Sequence, residues 1–472
     1  MTSSSLLPAF LQAVMQGQPR ALKDPHYPGW HLAPVTGLMN DPNGFIHFQG
    51  EYHLFYQWNP LGCSHQNKSW GHWRSPDLLH WQHAPIALMP GEDYDRSGCY
   101  SGSAVDNQGK LTLCYTGNVK FDDGSRTAWQ CLAVENAQGG FDKTGPVLSL
   151  PEGYTGHVRD PKVWRQGETW FMVLGAQDKH KQGKVLLFRS CNLTDWALAG
   201  EIAGSGLGGL GEAGYMWECP DLFHLDGQDV LIACPQGVAK QEKRFLNTYP
   251  AAWLCGTLHA GSASFQHGPL EELDAGFEFY APQTALAEDG RRLLIGWMGV
   301  PDGEEMRQPT IKQGWIHQMT CLRQLSLKQG RLYQQPVTEL QMLRETEHNW
   351  HGQASQAPEI PAERLEMLLA RAPGKSATLH FGNDDLVLSW NDVELRLARR
   401  SLENGEWQYR YWNGAATGLQ ILCDHSSIEI FINQGEGVMS SRYFPAQPAT
   451  LSFSGEAELQ ARYWSLRACM VE

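Results

Sequence analysis

The chain has 472 residues, of which 42% are hydrophobic and 19% charged, so its composition is that of a folded globular protein. Asp and Glu outnumber Lys and Arg by 51 to 37, and the net charge of −14 argues against a nucleic-acid or anionic membrane partner. No apolar run is long enough for a membrane-spanning helix, and the length predicts about three domains, or one large repeat domain with a smaller one.

Residues 1–24 are predicted to form a short amphipathic helix that packs on the body of the protein. Apolar residues recur at helical spacing from Leu7 to Met15, after serines that can cap the helix. A signal peptide is not expected, because no Lys or Arg precedes this stretch and Pro8 and Gln12 interrupt it. The eleven cysteines are odd in number and form no CxxC pair, which favours a reducing compartment. We therefore expect a cytoplasmic protein.

Five segments share one pattern, a turn glycine followed by a strand dense in aromatic and aliphatic residues. The spacings between these glycines are 59, 58, 60 and 63 residues. Each segment also has a candidate strand before its glycine and others after it, and four short antiparallel strands in about 60 residues are typical of a propeller blade. Residues 25–336 are therefore predicted to form a five-bladed β-propeller. The glycines are Gly50, Gly109, Gly167, Gly227 and Gly290.

After Pro336 the pattern changes. Residues 337–361 are charged and polar and are predicted to link two domains. In residues 362–472 short strands alternate with turn signals, which is typical of a β-sandwich. The predicted fold is thus all-β: a short N-terminal helix, a five-bladed propeller and a C-terminal β-sandwich, for which a structural role is favoured.

Three carboxylates occupy matching positions where the first strand of a blade begins. Asp41 and Glu218 each stand nine residues before their marker glycine, and Asp160 stands seven before its own. Each alone has an ordinary explanation as a turn or ion-pair residue, but a propeller brings the equivalent ends of its innermost strands to one mouth. Three anions that face one cavity repel one another and are desolvated, so a structural role explains them poorly.

Converging carboxylates suit the cleavage of a glycosidic bond. One attacks the anomeric carbon, a protonated one donates to the leaving oxygen, and a third can hydrogen-bond sugar hydroxyls. The 18 tryptophans point the same way, because large rings stack on the apolar faces of sugars. Arg159 is expected to keep the adjacent Asp160 ionised, whereas two nearby anions are expected to raise the pKa of Glu218.

The motifs around these residues resemble glycoside hydrolase family 32, the β-fructofuranosidases, over nearly the whole chain. Within that family they are most similar to bacterial intracellular enzymes that act on sucrose 6-phosphate. The motifs are Trp30-His31-Leu-Ala-Pro34, Met39-Asn-Asp-Pro-Asn-Gly44, Trp70-Gly-His72, Tyr100-Ser-Gly-Ser103, Arg159-Asp-Pro161, Glu218-Cys-Pro220, Phe279-Tyr-Ala-Pro-Gln283 and Asp424-His-Ser-Ser-Ile-Glu-Ile-Phe431.

The resemblance implies a role for each matching residue. Asp41 would be the nucleophile, Glu218 the acid and base, and Asp160 the stabiliser of the transition state, in a retaining hydrolysis without a cofactor. His65 stands where many relatives place a tryptophan, so the leaving-group side is expected to differ. No metal site is predicted, because His65, His72, His80 and His83 lack a compact ligand spacing. The expected substrate contacts are Leu38, Met39, Asn40, Gln57, Tyr100, Ser101, Arg159 and Trp297.

The leading interpretation is hydrolysis of sucrose 6-phosphate to glucose 6-phosphate and fructose, with some action on sucrose. A hydrolase of free sucrose or short fructans is the alternative. The Asn40-Asp-Pro-Asn-Gly44 box and the appended sandwich disfavour an arabinan-cleaving propeller, and the three carboxylates together disfavour a non-catalytic, carbohydrate-binding one. The expected partner is a small sugar or sugar phosphate, and the chain is expected to be a monomer or a homodimer. Candidate phosphate-selecting residues are Lys68, Lys120, Arg126, Lys179, His180 and Lys181.

Overall fold

The computed structural model describes residues 3–300, 302–446 and 448–472. The chain begins with helix α1 (Ser3–Ala21), which confirms the N-terminal helix. Its buried face is only in part the predicted one: Phe10 is buried as expected, together with Leu6, whereas Leu11 and Met15 are exposed. Among the described residues, no helix combines the length and apolar character that crossing a membrane requires.

Residues 37–204 form three antiparallel sheets that follow one another along the chain. The first holds β1 (Gly37–Phe48), β2 (Glu51–Asn59), β3 (Ser69–Ser75) and β4 (Gln82–His83). The second holds β5 (Cys99–Asn107), β6 (Lys110–Lys120), β7 (Arg126–Glu135) and β8 (Phe141–Leu148). The third holds β9 (Tyr154–Gln166), β10 (Thr169–Asp178), β11 (Gly183–Ser190) and β12 (Ala197–Gly204).

Two more sheets complete this region. The fourth holds β13 (Met216–Leu225), β14 (Gln228–Gln236), β15 (Ala252–His259) and β16 (Ser264–His267), with β17 (Glu271–Glu272) paired to β15. The fifth holds β18 (Tyr280–Leu286), β19 (Arg292–Trp297), β21 (Arg323–Lys328) and β22 (Arg331–Pro336). Between β19 and β21 along the chain lies the short strand β20 (Trp315–Ile316), which belongs to the first sheet. Short 3-10 helices cover Glu305–Arg307 and Pro309–Gln313. Strand β20 pairs in parallel with β1, so the end of this region is joined to its beginning.

The five sheets are arranged radially. Their first strands β1, β5, β9, β13 and β18 contact one another in that order, and β18 also contacts β1, so they surround a central channel. Apolar side chains fill the spaces between neighbouring sheets; between the first two, for example, Phe55 and Trp70 pack with Tyr115. The last and first sheets pack together through residues such as Leu293 and Tyr56. This arrangement is that of a β-propeller.

The C-terminal region forms two six-stranded sheets, in the orders β23-β34-β25-β30-β31-β32 and β24-β33-β26-β27-β28-β29. A shared core containing Leu379, Trp390, Ile421 and Ile430 makes them a β-sandwich. The strands are β23 (Arg344–Gln353), β24 (Ile360–Pro361), β25 (Leu365–Arg371), β26 (Ala377–Phe381), β27 (Leu386–Trp390), β28 (Glu394–Arg400), β29 (Trp407–Asn413), β30 (Gly418–Asp424), β31 (Ser427–Ile432), β32 (Gly437–Arg442), β33 (Thr450–Gly455) and β34 (Glu458–Leu466).

The segment 337–361 does more than link the two domains. It contains 3-10 helices over Thr338–Leu343 and Ala354–Gln356, and between them β23 pairs with β34 at the edge of the sandwich. Most residues of β23 are exposed, and charged side chains are common on edge strands because they discourage pairing with other chains. Its polar sequence is thus that of an edge strand rather than of a free linker.

A buried charge network joins the propeller to the sandwich. The guanidinium of Arg323 contacts Glu429 at 2.6 Å and Asp274 at 3.1 Å, and all three side chains are fully buried. His31 adds bonds to Asp424 at 2.9 Å and to Glu429 at 3.0 Å. Because removal of one partner from such a network leaves a buried charge unpaired, these residues fix the two domains against each other.

Candidate active site

The first strand of every sheet interrupts its regular pairing at an equivalent place. A β-bulge there re-aims side chains, because the bulged strand bends and its extra residue is left unpaired. Four of these strands have a proline at the irregularity, where the backbone does not need an N–H to pair with the neighbouring strand. These prolines are Pro42, Pro161, Pro220 and Pro282. The irregularities lie between Met39 and Pro42 in β1, Tyr100 and Gly102 in β5, Arg159 and Lys162 in β9, Glu218 and Asp221 in β13, and Tyr280 and Gln283 in β18.

Three of the bulges carry backbone strain. Asp160, Cys219 and Ala281 have φ angles of 67°, 48° and 48°, in the left-handed region that side-chain-bearing residues rarely occupy. Such conformations cost about 1–3 kcal/mol each and are concentrated at functional sites. The strained residues therefore lie at the same places in the first strands at which the sequence repeat puts the three carboxylates.

Asp41 lies on β1 and is held by hydrogen bonds to both carboxylate oxygens. The Ser101 hydroxyl donates to Oδ2, and the Asn40 side-chain amide donates to Oδ1 at 3.0 Å. The same Asn40 amide donates to Gln57 Oε1 at 2.8 Å, so Gln57 positions Asn40. These bonds hold the carboxylate in one orientation, as an attacking group requires.

Glu218 lies on β13 and accepts four hydrogen bonds. The guanidinium of Arg159 contacts Oε1 through Nη2 at 2.6 Å and Nε at 3.0 Å. Oε2 accepts from the Tyr280 hydroxyl at 2.6 Å and from Gln236 Nε2 at 2.7 Å. Strands of the third and fifth sheets and the neighbouring strand β14 thus hold this one side chain.

Asp160 lies on β9 next to the other two carboxylates and is buried. Its Oδ2 accepts from the backbone N–H of Cys219 at 3.0 Å. The Cys219 thiol lies 3.6 Å from a carboxylate oxygen of Asp160 and 3.6 Å from one of Asp41. The structure therefore brings the three predicted carboxylates, on β1, β9 and β13, to one place.

The protonation of this group differs from the sequence-based expectation. Burial raises the pKa of Asp160 to about 7, with Arg159 opposing the shift and Glu218 and Asp41 adding to it. Burial also raises the pKa of Glu218, but the Arg159 guanidinium and the Tyr280 hydroxyl outweigh it and leave that pKa below its ordinary value. Arg159 thus lowers the pKa of Asp160, as expected, but does not outweigh burial. The pKa of Glu218 is lowered, whereas the sequence-based expectation was that it would be raised.

We expect Asp160→Asn to raise the thermal unfolding midpoint at pH 8 and to lose that gain as the pH falls to 4.5. With a native pKa near 7, above the ordinary 3.8, native Asp160 binds more protons than the unfolded chain between these values. Raising the pH through this window therefore destabilises the native protein, and a neutral amide escapes that penalty. Unfolding midpoints of both proteins at the two pH values test this.

The control is Asp142→Asn, an exposed carboxylate on the outer strand β8, which should show no such pH-dependent gain. A gain for Asp160→Asn that is equal at both pH values, or larger at pH 4.5, would contradict the raised pKa.

The remaining predicted contacts divide into two groups. Ser101 and Tyr100 lie at the bulge of β5, and the Tyr100 carbonyl accepts from Trp70 Nε1 at 3.1 Å. In contrast, Leu38 and Met39 are fully buried. Trp297 packs edge-on against Tyr280 at 6.2 Å, and only 1% of its surface is exposed.

Sequence reasoning missed a hydrogen-bonded chain behind Asp41. Lys68 is buried; its ammonium donates to Asn40 Oδ1 and lies 2.7 Å from His65 Nδ1. His65 Nε2 in turn lies 2.7 Å from Glu305 Oε1. Lys68 was a candidate phosphate ligand, but in the structure its ammonium is hydrogen-bonded inside the protein and positions Asn40.

Tyr280 and Gln236 were also missed as partners of Glu218, although one signal could have found Tyr280. The Tyr280–Glu218 contact spans 62 residues, and the Ser101–Asp41 and Arg159–Glu218 contacts span 60 and 59. These separations match the spacing of the marker glycines. Residues one repeat apart thus face each other across neighbouring sheets.

A cavity of about 690 Å³ lies away from the carboxylates. It opens between the fourth and fifth sheets and the sandwich, and Arg244, Trp253 and Trp412 help to line it. Because Asp41, Asp160 and Glu218 are absent from its walls, it is not the candidate active site. Across the described parts of the chain, no group of three or more His, Cys, Asp or Glu side chains is placed to hold a metal ion.

A propeller with an appended β-sandwich and three carboxylates grouped at its channel defines the chain as a glycoside hydrolase. More narrowly, the chain belongs to glycosyl hydrolase family 32: the model of the family's N-terminal domain matches residues 31–336, and that of its C-terminal domain matches residues 392–465. This confirms the resemblance and the predicted propeller-and-sandwich fold. The chain is a glycosidase that acts on β-fructofuranosides.

Individual relatives are similar to this chain over all or nearly all of its length. The chain is 64% identical over 472 residues to a Salmonella typhimurium protein named sucrose-6-phosphate hydrolase, with 100% of each covered. The solved structure of a sucrose-6-phosphate hydrolase from Lactobacillus gasseri is similar with a TM-score of 0.90 at 33% identity, covering 97% of each chain. A mutant family 32 β-fructofuranosidase from Bombyx mori in complex with sucrose gives 0.89 at 31% identity and covers 100% of both chains.

Proposed function

We propose that this chain hydrolyses the β-fructofuranosidic bond of sucrose 6-phosphate to release glucose 6-phosphate and fructose, and that it also acts on sucrose. The observation that supports this best is the convergence of Asp41, Asp160 and Glu218 from three bulged strands on one channel. The names of the Salmonella and Lactobacillus relatives support the phosphorylated substrate.

In the proposed first step, Asp41 attacks C2 of the fructosyl unit. Glu218 donates its proton to the bridging oxygen, the C2–O bond breaks, and glucose 6-phosphate leaves. A covalent bond between C2 and the Asp41 carboxylate forms through an oxocarbenium-like transition state. Protonation of Glu218 removes one of the negative charges that raise the pKa of Asp160, which favours the ionised form of Asp160. That carboxylate, beside both groups, accepts hydrogen bonds from fructosyl hydroxyls and stabilises the positive charge as it develops.

The pairing of Arg159 with Glu218 bears on this step. A donor to the ionised form of Glu218 lowers its pKa, so a general acid must first lose that donor. We infer that the fructosyl hydroxyls take over hydrogen bonds from Arg159. The pKa of Glu218 then rises, and the carboxyl group gains the proton that it must donate.

In the second step, Glu218 takes a proton from water, and the water oxygen attacks C2 from the face that the sugar left. The bond to Asp41 breaks, and fructose leaves with the configuration of the original bond. Asn40, Gln57 and Ser101 are proposed to hold the fructosyl hydroxyls, since each lies within the hydrogen-bonded group around Asp41.

We also propose that the protein works in the cytoplasm as a monomer or a homodimer. The eleven cysteines lie within the described residues as free thiols, in agreement with a reducing compartment.

Sucrose 6-phosphate is expected to be preferred over sucrose by at least about tenfold in kcat/KM, because a bound phosphate adds one or two charge-assisted hydrogen bonds. Initial rates on sucrose, sucrose 6-phosphate and a short inulin, measured with one preparation, test this. Equal values for the first two sugars would reject the phosphorylated substrate and favour a hydrolase of free sucrose. Faster turnover of inulin would favour a fructan hydrolase.

A further inference from the structure

Two cations lie opposite each other at the turn between β6 and β7. Lys120 is the last residue of β6 and pairs in register with Arg126, the first residue of β7. Like charges directly opposite on neighbouring strands are destabilising. Their placement therefore calls for an anion, either from the protein or from a ligand.

Among the described residues, no carboxylate is paired with either cation. Across residues 3–300, 302–446 and 448–472, neither Lys120 nor Arg126 has a carboxylate oxygen within 4 Å in an ion pair. The turn itself holds Asp122 and Asp123, but Asp123 Oδ1 accepts from the backbone N–H and the hydroxyl of Ser125, and neither carboxylate forms an ion pair with Lys120 or Arg126. By contrast, Arg159 is paired with Glu218 at 2.6 Å, and Lys162 with Asp221 at 2.9 Å.

Arg126 is connected to the acid/base residue through two side chains. Its Nη1 lies 3.1 Å from His157 Nδ1, and Arg159 Nη1 lies 2.9 Å from the same nitrogen. Burial, followed by the charges of Arg159 and Arg126, lowers the pKa of His157 to about 4, so its neutral ring accepts both bonds at Nδ1. His157 thus aligns two guanidinium groups without neutralising either.

The backbone around Arg126 leaves room for this arrangement only with glycine at position 156. A Cβ at Gly156 would lie 2.2 Å from the Arg126 carbonyl oxygen and 2.5 Å from its Cγ. Strand β9 therefore packs directly against Arg126 and keeps it beside the strand that carries Arg159 and Asp160.

Lys120 is linked through the backbone to the segment that contacts Lys68: its N–H donates to Ser97 Oγ at 2.9 Å, and the N–H of Cys99 donates to the Lys68 carbonyl at 2.8 Å. Burial lowers the pKa of Lys68 to about 8; the charges of Asp41 and Glu305 oppose that shift, and the charge of Lys120 adds to it. Lys120 and Arg126 thus form a pair of cations without a partner carboxylate among the described residues. Lys120 is near Lys68, and Arg126 is connected through His157 and Arg159 to Glu218.

We propose that Lys120 and Arg126 bind the phosphate of sucrose 6-phosphate, an inference that rests on the function proposed above. The phosphate is carried on C6 of the glucosyl ring, one ring width from the bridging oxygen that Glu218 protonates. Arg126, two side chains from Glu218, presents a planar fork that suits phosphate oxygens, and Lys120 adds a point charge. The substrate phosphate supplies the paired anion that neither cation has among the described residues.

The other candidate cations fit less well. Lys68 already donates to Asn40 inside the protein. Lys179, His180 and Lys181 lie in the corresponding turn of the third sheet and are exposed. Within the described part of the chain, no side-chain hydrogen bond connects them to the carboxylates. They are an alternative that the same experiment can distinguish.

The test compares kcat/KM on sucrose 6-phosphate and on sucrose for the wild type, Lys120→Ala and Arg126→Ala. The readout is the ratio of the two values in each preparation, so that loss of active protein cancels. Each substitution should lower the ratio by about tenfold, and the double variant should lower it further. Arg126→Lys should restore part of the loss, since it returns the charge without the fork.

Lys110→Ala is the matched control, because it removes one exposed positive charge at the opposite end of β6. Its ratio should equal that of the wild type. A wild-type ratio near one would overturn the phosphorylated substrate itself. A high wild-type ratio that survives both substitutions, or that falls instead with Lys179→Ala or Lys181→Ala, would overturn the assignment to Lys120 and Arg126 while leaving the proposed function intact.

Discussion

Asp41→Asn is expected to lower kcat on both sucrose 6-phosphate and sucrose by about ten-thousandfold or more. A neutral amide is a poor nucleophile, so the covalent intermediate should not form. The amide oxygen can still accept from Ser101 or Asn40, so the fold should be preserved. Steady-state rates, with unfolding midpoints as the check on folding, measure the effect.

Two further results decide the role of Asp41. Mass spectrometry during turnover of a slow substrate should detect a fructosyl adduct on the wild type and none on the variant. Asp142→Asn makes the same chemical change on the exposed outer strand of the second sheet and should leave kcat unchanged. Retention of more than a tenth of wild-type activity by Asp41→Asn would exclude Asp41 as the nucleophile.

The fold was readable from the sequence because its information is local and periodic. Turn glycines about 60 residues apart, each beside alternating apolar strands, need no knowledge of distant contacts. The buried face of α1 was predicted only in part, because apolar periodicity indicates a helix but not the surface that the helix packs on. The structure turns Leu6 and Phe10 inward and leaves Met15 in solvent. The polar edge strand β23 was misread as a linker for a similar reason.

The positions of the carboxylates were readable, but their partners were not. Arg159 precedes Asp160 in sequence, yet successive side chains on a strand point in different directions, and Arg159 reaches Glu218 on the next sheet instead. The pKa values follow from that pairing, so they could not be predicted before it. Lys68 resembles an ordinary loop cation in sequence, and only the folded loop between β2 and β3 places it on Asn40.

Glu218→Gln is expected to lower kcat on sucrose 6-phosphate by about a thousandfold, because an amide cannot protonate the leaving oxygen. The loss should depend on the leaving group. An aryl fructoside with an acidic phenol leaves without a proton, so its first step should be largely spared. Release of the phenol in a pre-steady-state burst, followed by slow turnover, should therefore be seen with this substrate.

Azide separates acid from base catalysis in the same variant. It attacks the intermediate on Asp41 without needing a base, so it should speed turnover of the aryl fructoside and yield fructosyl azide. Glu168→Gln, an exposed carboxylate in the turn before β10, is the matched control and should behave as the wild type on both substrates. Equal losses on the two substrates, with no response to azide, would mean that Glu218 serves only to position Arg159 and Tyr280, the partners that contact its carboxylate at 2.6 Å.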